Sequence, residues 1–198
     1  MTIYALSSGP GVSGIAVIRI SGSKVEEIVK LITNDQLPEP RQATLKKFNK
    51  INNSELIDEG ILIWFPGPES YTGEDMAEIH VHGSIAVVRT ILDQLSKIEN
   101  CRLAEPGEFT KIAFQNEKIN LLKAESISDL ISAETEIQRQ QAIQIMSGRS
   151  SEKFNSLRES LLKILSNVEA KIDFPDEDLP DNVIKNIKID SQKIREEI

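Results

Sequence analysis

The sequence predicts an α+β protein: a mixed α/β domain over residues 1–117, then an all-α helical bundle segment over residues 118–198. Three observations carry that prediction. Residues 15–21 (Ile-Ala-Val-Ile-Arg-Ile-Ser) and 56–65 are short apolar runs of strand character. Over residues 77–82 apolar and polar side chains alternate: Ala77, Ile79 and Val81 face one way, and Glu78, His80 and His82 the other. From Asn120 to Ile172 there is no proline and a single glycine, Gly148, while Leu157, Leu161, Ile164, Leu165, Val168 and Ile172 recur at helical spacing.

Taken in order, residues 15–21 form a strand bounded by Gly14 and Gly22. Ser23 followed by Glu26 reads as a capping box that opens a helix, with Val25, Ile28, Val29 and Ile32 as its buried stripe. Leu37-Pro-Glu-Pro40 is a stiff connection. Strands over 42–49 and 56–65 are joined across Asn52-Asn53, a turn signal. A ten-residue loop rich in proline and glycine precedes the alternating strand. Residues 85–98 form an amphipathic helix with Val88, Ile91, Leu92 and Leu95 on one side, and 101–104 a last short strand. In the helical part, Thr135 with Gln138 predicts a capping box, so one helix ends near Ala133 and a longer one runs to Phe174-Pro175. A further helix follows over 182–198.

Composition narrows the function classes. The single cysteine, Cys101, excludes an internal disulfide and fits a reducing compartment. No apolar run approaches the ~20 residues a membrane helix needs, and the first residues lack the features of a secretory signal. The expectation is a cytoplasmic protein with no membrane partner. The net charge is −8. Residues 1–117 carry 11 basic and 16 acidic side chains, and residues 118–198 carry 12 and 15. Neither half offers a basic field that would grip a phosphate backbone unaided.

Several residues are candidates for chemistry, each with a plain alternative. Gly9-Pro-Gly-Val-Ser-Gly14 precedes a strand, whereas a phosphate-cradling loop follows one. The Gly-x-x-x-x-Gly-Lys-[Ser/Thr] pattern occurs nowhere in these residues. Glu78, His80 and His82 are either a metal set lacking further ligands or a solvated strand face. Glu78 also suits a ligand edge with two adjacent N–H donors, such as a pterin or guanine, because a carboxylate only accepts. Arg19 interrupts an apolar strand; it either serves a pocket or reaches solvent from a strand edge. Lys118, taken alone, is a surface lysine at a junction. Cys101 is a nucleophile or, more simply, a buried or strand-edge thiol. The loop over 173–181 holds five acids and no base, and either binds a cation or stops a helix.

Together the motifs resemble one family. Ile15-Ala-Val-Ile-Arg-Ile-Ser-Gly22 is similar to the first strand of the MnmE (TrmE) tRNA-uridine modification GTPases. So are Trp64-Phe-Pro-Gly-Pro, Ser70-Tyr-Thr-Gly-Glu-Asp75 through His82-Gly83, and Glu105-Pro-Gly-Glu-Phe-Thr110. Ala113-Phe114, Asn116, Lys118, Leu121 to Leu130 and Phe174-Pro-Asp-Glu177 continue the match. Ser84, Ile112 and Asn120 stand where the family more often has Gly, Arg and Asp.

The resemblance implies a fold like the folate-binding domain of aminomethyltransferases, which dimerises, followed by an incomplete helical domain. It implies 5-formyl-tetrahydrofolate, or 5,10-methylene-tetrahydrofolate, as the one-carbon donor. It places the folate-contacting Arg, Glu and Lys on Arg19, Glu78 and Lys118. It implies C5 aminomethyl-type modification of a wobble uridine in tRNA, with a flavin-dependent MnmG partner. GTP, Mg and K belong to a GTPase domain whose motifs, like the family's Cys-x-Gly-Lys signature, are absent here. GTP hydrolysis is therefore not expected of these residues alone, and no catalytic residue or metal ligand is assigned. The alternatives are a stand-alone folate-dependent aminomethyl or formyl transferase, and a dimerisation scaffold.

Overall fold

The computed structural model describes residues 1–173 and 182–197. Contacts divide the chain into two units, Met1–Asn120 and Leu121–Ile198. The predicted Phe174-Pro175 helix stop, the remainder of the acidic loop beyond Asp173 and the 174–177 motif lie outside the described residues.

The first unit is a six-stranded sheet with helices. Its elements run β1 (Thr2–Leu6), β2 (Ser13–Ser21), α1 (Val25–Thr33), β3 (Thr44–Asn49), β4 (Leu56–Phe65), β5 (Met76–Gly83), α2 (Ile85–Ser96), β6 (Cys101–Leu103) and α3 (Glu108–Gln115). The strand order is β3-β4-β5-β2-β1-β6. Every neighbouring pair is antiparallel except β1 with β6.

Period-2 alternation gives each central strand a core side. Ile18 on β2, Ile79 on β5 and Leu62 on β4 are register partners, each with no exposed surface. They pack with Val25, Ile28, Val29 and Ile32 of α1 and Ile91 and Leu95 of α2 into one cluster. One residue along, Arg19, Glu78 and Ile63 share a register row, and beside it lies the row Val17, His80, Ile61. Those rows belong to the opposite, partly exposed side of the sheet.

One local expectation fails here. The Ser23/Glu26 capping box does not form. Lys24 is the N-cap, its backbone N–H donates to Thr2 Oγ1 at 2.9 Å, and Glu26 pairs with Lys30 one turn on. A hydroxyl from the first strand thus does what a local side chain was expected to do. β1 and α3 were also unforeseen, because a five-residue strand and an eight-residue helix show too few periods to read.

The second unit contains α4 (Leu121–Ser132), α5 (Glu136–Met146), α6 (Arg149–Asp173) and α7 (Asn182–Glu197), each packing on the next. The Thr135 capping box is present in both directions: Gln138 N–H donates to Thr135 Oγ1, and Thr135 N–H donates to Gln138 Oε1. The single long helix expected from 135 onward is two. It breaks at Ser147-Gly148, where Gly148 adopts φ +91°, a left-handed conformation open to glycine at no steric cost. No helix among the described residues is long and apolar enough to cross a membrane.

Candidate functional site

Arg19 and Glu78 meet because β2 and β5 are antiparallel neighbours and the two residues are directly opposed. Arg19 Nε and Nη2 both donate to Glu78 Oε1, at 3.0 and 2.7 Å. The side chains keep 26% and 16% of their exposure, so the pair is largely withdrawn from water. Because both N–H groups land on one oxygen, Oε2 stays available to accept from elsewhere. The guanidinium also lies 5.3 Å from the centre of the Tyr71 ring and 5.6 Å from that of Phe109. Two aromatic faces around one cation add attraction and shape.

The aromatic walls are fixed by the loop of residues 66–75 and by α3. The Tyr71 hydroxyl hydrogen-bonds the Thr110 hydroxyl on α3 at 2.9 Å. Thr72 joins Ser21 of β2 through their hydroxyls at 2.7 Å, and its carbonyl accepts from Asn116 Nδ2 at 2.7 Å. Gly67 N–H donates to Asp75 Oδ1, closing the loop on itself. Lys118 follows α3 and runs beside the same loop: a side chain at Gly73 would lie 3.3 Å from Lys118 Cγ. Lys118 is exposed, and it forms no ion pair among the described residues. Arg19 and Glu78 are thus in direct contact, and Lys118 lines the loop whose Tyr71 covers Arg19.

The two histidines behave differently. His80 Nε2 is 3.5 Å from Glu78 Oε2, yet buried and without a hydrogen-bond partner. His82 turns instead to Asp58 on β4: its Nδ1 lies 2.9 Å from Asp58 Oδ1, and its backbone N–H donates to Oδ2 at 2.8 Å. No cluster of three or more His, Cys, Asp or Glu that could hold a metal is present among the described residues. Burial acts to raise the Asp58 pKa. The side-chain and backbone hydrogen bonds from His82 and the Glu59 backbone N–H outweigh it, so the carboxyl ionises below its usual range.

A folded-state value below the unfolded one means this stabilisation is complete above about pH 4. It drains away as pH falls through the folded-state value. Asp58→Asn is therefore expected to lower the urea midpoint at pH 7 and to leave a much smaller gap from wild type at pH 3. A gap of equal size at both values would show that the carboxylate charge contributes nothing.

Cys101 is a half-buried strand thiol whose pKa burial raises, which weighs against a nucleophilic role. Sequence reasoning missed Tyr71, Phe109, Asn116 and Asp58. Tyr71 stood in a turn-rich loop and Phe109 followed a Pro-Gly pair, and no periodicity marks either as a wall. Asp58 pairs with His82 across strands, a contact that only register reveals.

The family described as GTP-binding protein TrmE N-terminus matches residues 2–118, and the MnmE helical domain matches residues 121–198. A protein of Pelagibacter ubique (strain HTCC1062), named tRNA modification GTPase MnmE, is 72% identical over 194 residues, covering 98% of this chain and 44% of its own length. Proteins of the same name from Rickettsia akari (strain Hartford) and Parvibaculum lavamentivorans (strain DS-1) are 47% and 41% identical across 100% of this chain, which spans 44% and 45% of theirs. The chain thus spans less than half the length of the curated relatives it matches. With two family matches in succession and a relative of that identity, the chain belongs to the MnmE (TrmE) family and corresponds to its N-terminal and helical domains.

Proposed function

We propose that this chain binds a reduced folate one-carbon donor, 5-formyl- or 5,10-methylene-tetrahydrofolate, at the Arg19–Glu78 pair. It does so as part of a homodimeric GTPase that, with tRNA and a flavin-dependent partner, builds a C5 aminomethyl-type group on wobble uridine. The relatives' name supports the tRNA-modification setting, and the absence of a phosphate-binding Gly-Lys-[Ser/Thr] loop assigns GTP hydrolysis to none of these residues. The cytoplasm is the compartment that fits both.

One observation carries the folate reading: a largely buried carboxylate, Glu78, is held on one oxygen by Arg19, whose guanidinium in turn lies against Tyr71 and Phe109. A pterin is flat, presents N–H donors on one edge and stacks on aromatic rings, so its needs match that inventory. The buried and unpartnered His80 Nε2 beside Glu78 is a polar atom awaiting a partner, as a ligand site requires. When bound, the folate supplies the one-carbon unit. Glu78 accepts from its ring N–H, Arg19 fixes the orientation of Glu78, and Lys118 attracts the carboxylate tail.

Titrating 5-formyl-tetrahydrofolate into the purified chain tests this. Glu78→Ala is expected to weaken binding at least about tenfold, the cost of one charged hydrogen bond. Glu55→Ala removes a carboxylate that pairs only locally with Lys50 and Asn53, and is expected to change nothing. Unchanged affinity in Glu78→Ala removes the reading.

A further inference from the structure

His80 Nε2 is one of two buried side-chain polar atoms without a hydrogen-bond partner among the described residues, the other being Trp64 Nε1. Trp64 packs against the core on the helix side of the sheet, but His80 shares the polar side with Glu78. The register neighbours of His80 are apolar, Val17 on β2 and Ile61 on β4. The charged or titratable groups around it are Glu78 on its own strand, with Arg19 beyond, and Glu59 and His82. The last two line with it a hollow of about 180 Å³, together with Gly14, Ile15 and neighbouring residues of β4 and β5, while Glu78 and Arg19 are not part of that lining. None of these groups satisfies Nε2.

The Glu78 carboxylate at 3.5 Å favours the proton on Nε2, because an N–H beside an anion is stabilised and a lone pair there is repelled. Arg19 occupies Oε1. What remains is an N–H donor and a carboxylate acceptor, Oε2, side by side. That pattern complements a lactam edge, a ring N–H next to a C=O. A 4-oxo pteridine has such an edge; a 4-amino pteridine presents a bare ring nitrogen and an amino group in the same places, reversing both.

Resting on the folate reading above, we propose that His80 is a specificity-determining residue of the Arg19–Glu78 site. Its Nε2–H donates to the 4-oxo oxygen while Glu78 Oε2 accepts from the adjacent ring N–H, so the site selects 4-oxo over 4-amino pteridines. A site built to hydrogen-bond a group rejects the analogue that leaves its own polar atoms unpaired.

The test is equilibrium titration of the chain with 5-formyl-tetrahydrofolate and with its 4-amino counterpart. Wild type is expected to prefer the 4-oxo ligand at least about tenfold. His80→Leu is expected to bring the two within about threefold, by weakening the 4-oxo ligand, and His80→Gln, whose amide still donates, to keep most of the preference. Imidazole ¹⁵N shifts of the wild-type chain give a second readout that needs no variant: Nε2 is expected to be protonated, and to move with the 4-oxo ligand only. A wild-type preference that survives intact in His80→Leu, or an Nε2 that carries no proton in the complex, overturns the proposal while leaving folate binding in place. Failure of wild type to bind 5-formyl-tetrahydrofolate at all removes the underlying reading, and this one with it.

Discussion

Gly60→Ala is expected to cost the first unit about 3 kcal/mol or more, the upper end of overpacking penalties. A Cβ at this position would lie 2.1 Å from the His80 carbonyl oxygen and 3.1 Å from its carbonyl carbon. Both are backbone atoms of the neighbouring strand, so no side-chain rotation relieves the clash. β4 and β5 would have to part where the sheet carries Glu78 and His80, and both stability and ligand affinity suffer together. For a unit of this size the thermal midpoint falls by about 10 °C. Gly14→Ala is the control, since nothing lies within 4 Å of a Cβ there. Circular-dichroism melts of the two variants decide the matter. A Gly60→Ala protein that melts with wild type would show that the strands have room that the structure denies them.

Ile79→Ala is expected to destabilise by about 2–5 kcal/mol, and Ile79→Val by only about 0.5–1.5 kcal/mol. Ile79 has no exposed surface and sits between Ile18 and Leu62 in the middle strands of the sheet. Strands on both sides hold its backbone, so the cavity cannot collapse and the cost tends to the upper range. Ile79 is also the residue between Glu78 and His80, whose side chains leave the opposite face of the same strand. Urea unfolding followed by tryptophan fluorescence of Trp64, the single tryptophan, gives both values. Equal losses in the two variants would indicate a loosely packed core.

What could be read in advance followed the length of each pattern. The α1 stripe of Val25, Ile28, Val29 and Ile32 was legible because four apolar residues repeat over two turns, and all four are buried. The alternation over residues 77–82 announced a strand with a core side and a polar side, as found. The Thr135–Gln138 box was legible because both halves lie three positions apart in sequence. The Ser23–Glu26 box obeyed the same rule and failed, since Thr2 and Lys30 outcompeted its members. Gly148 was noticed as the lone glycine, yet a glycine inside a helical pattern does not declare whether it is tolerated or a break. At the site, Arg19 and Glu78 stood out as candidates from residue type and position, each beside a plain alternative, and the family resemblance singled out all three of Arg19, Glu78 and Lys118. Their mutual placement was not legible, because pairing Arg19 with Glu78 across 59 positions needs the β2–β5 register. The same holds for Tyr71 and Phe109, which reach Arg19 only through tertiary folding.

The cross-strand ion pair has a consequence for how anything settling there is chosen. A guanidinium and a carboxylate that cancel each other leave that spot electrically neutral, and half-buried groups feel little of the surrounding salt. Selection at the pair is then a matter of matching donors to acceptors, indifferent to ionic strength. Long-range attraction falls to the exposed ammonium of Lys118, which added electrolyte screens.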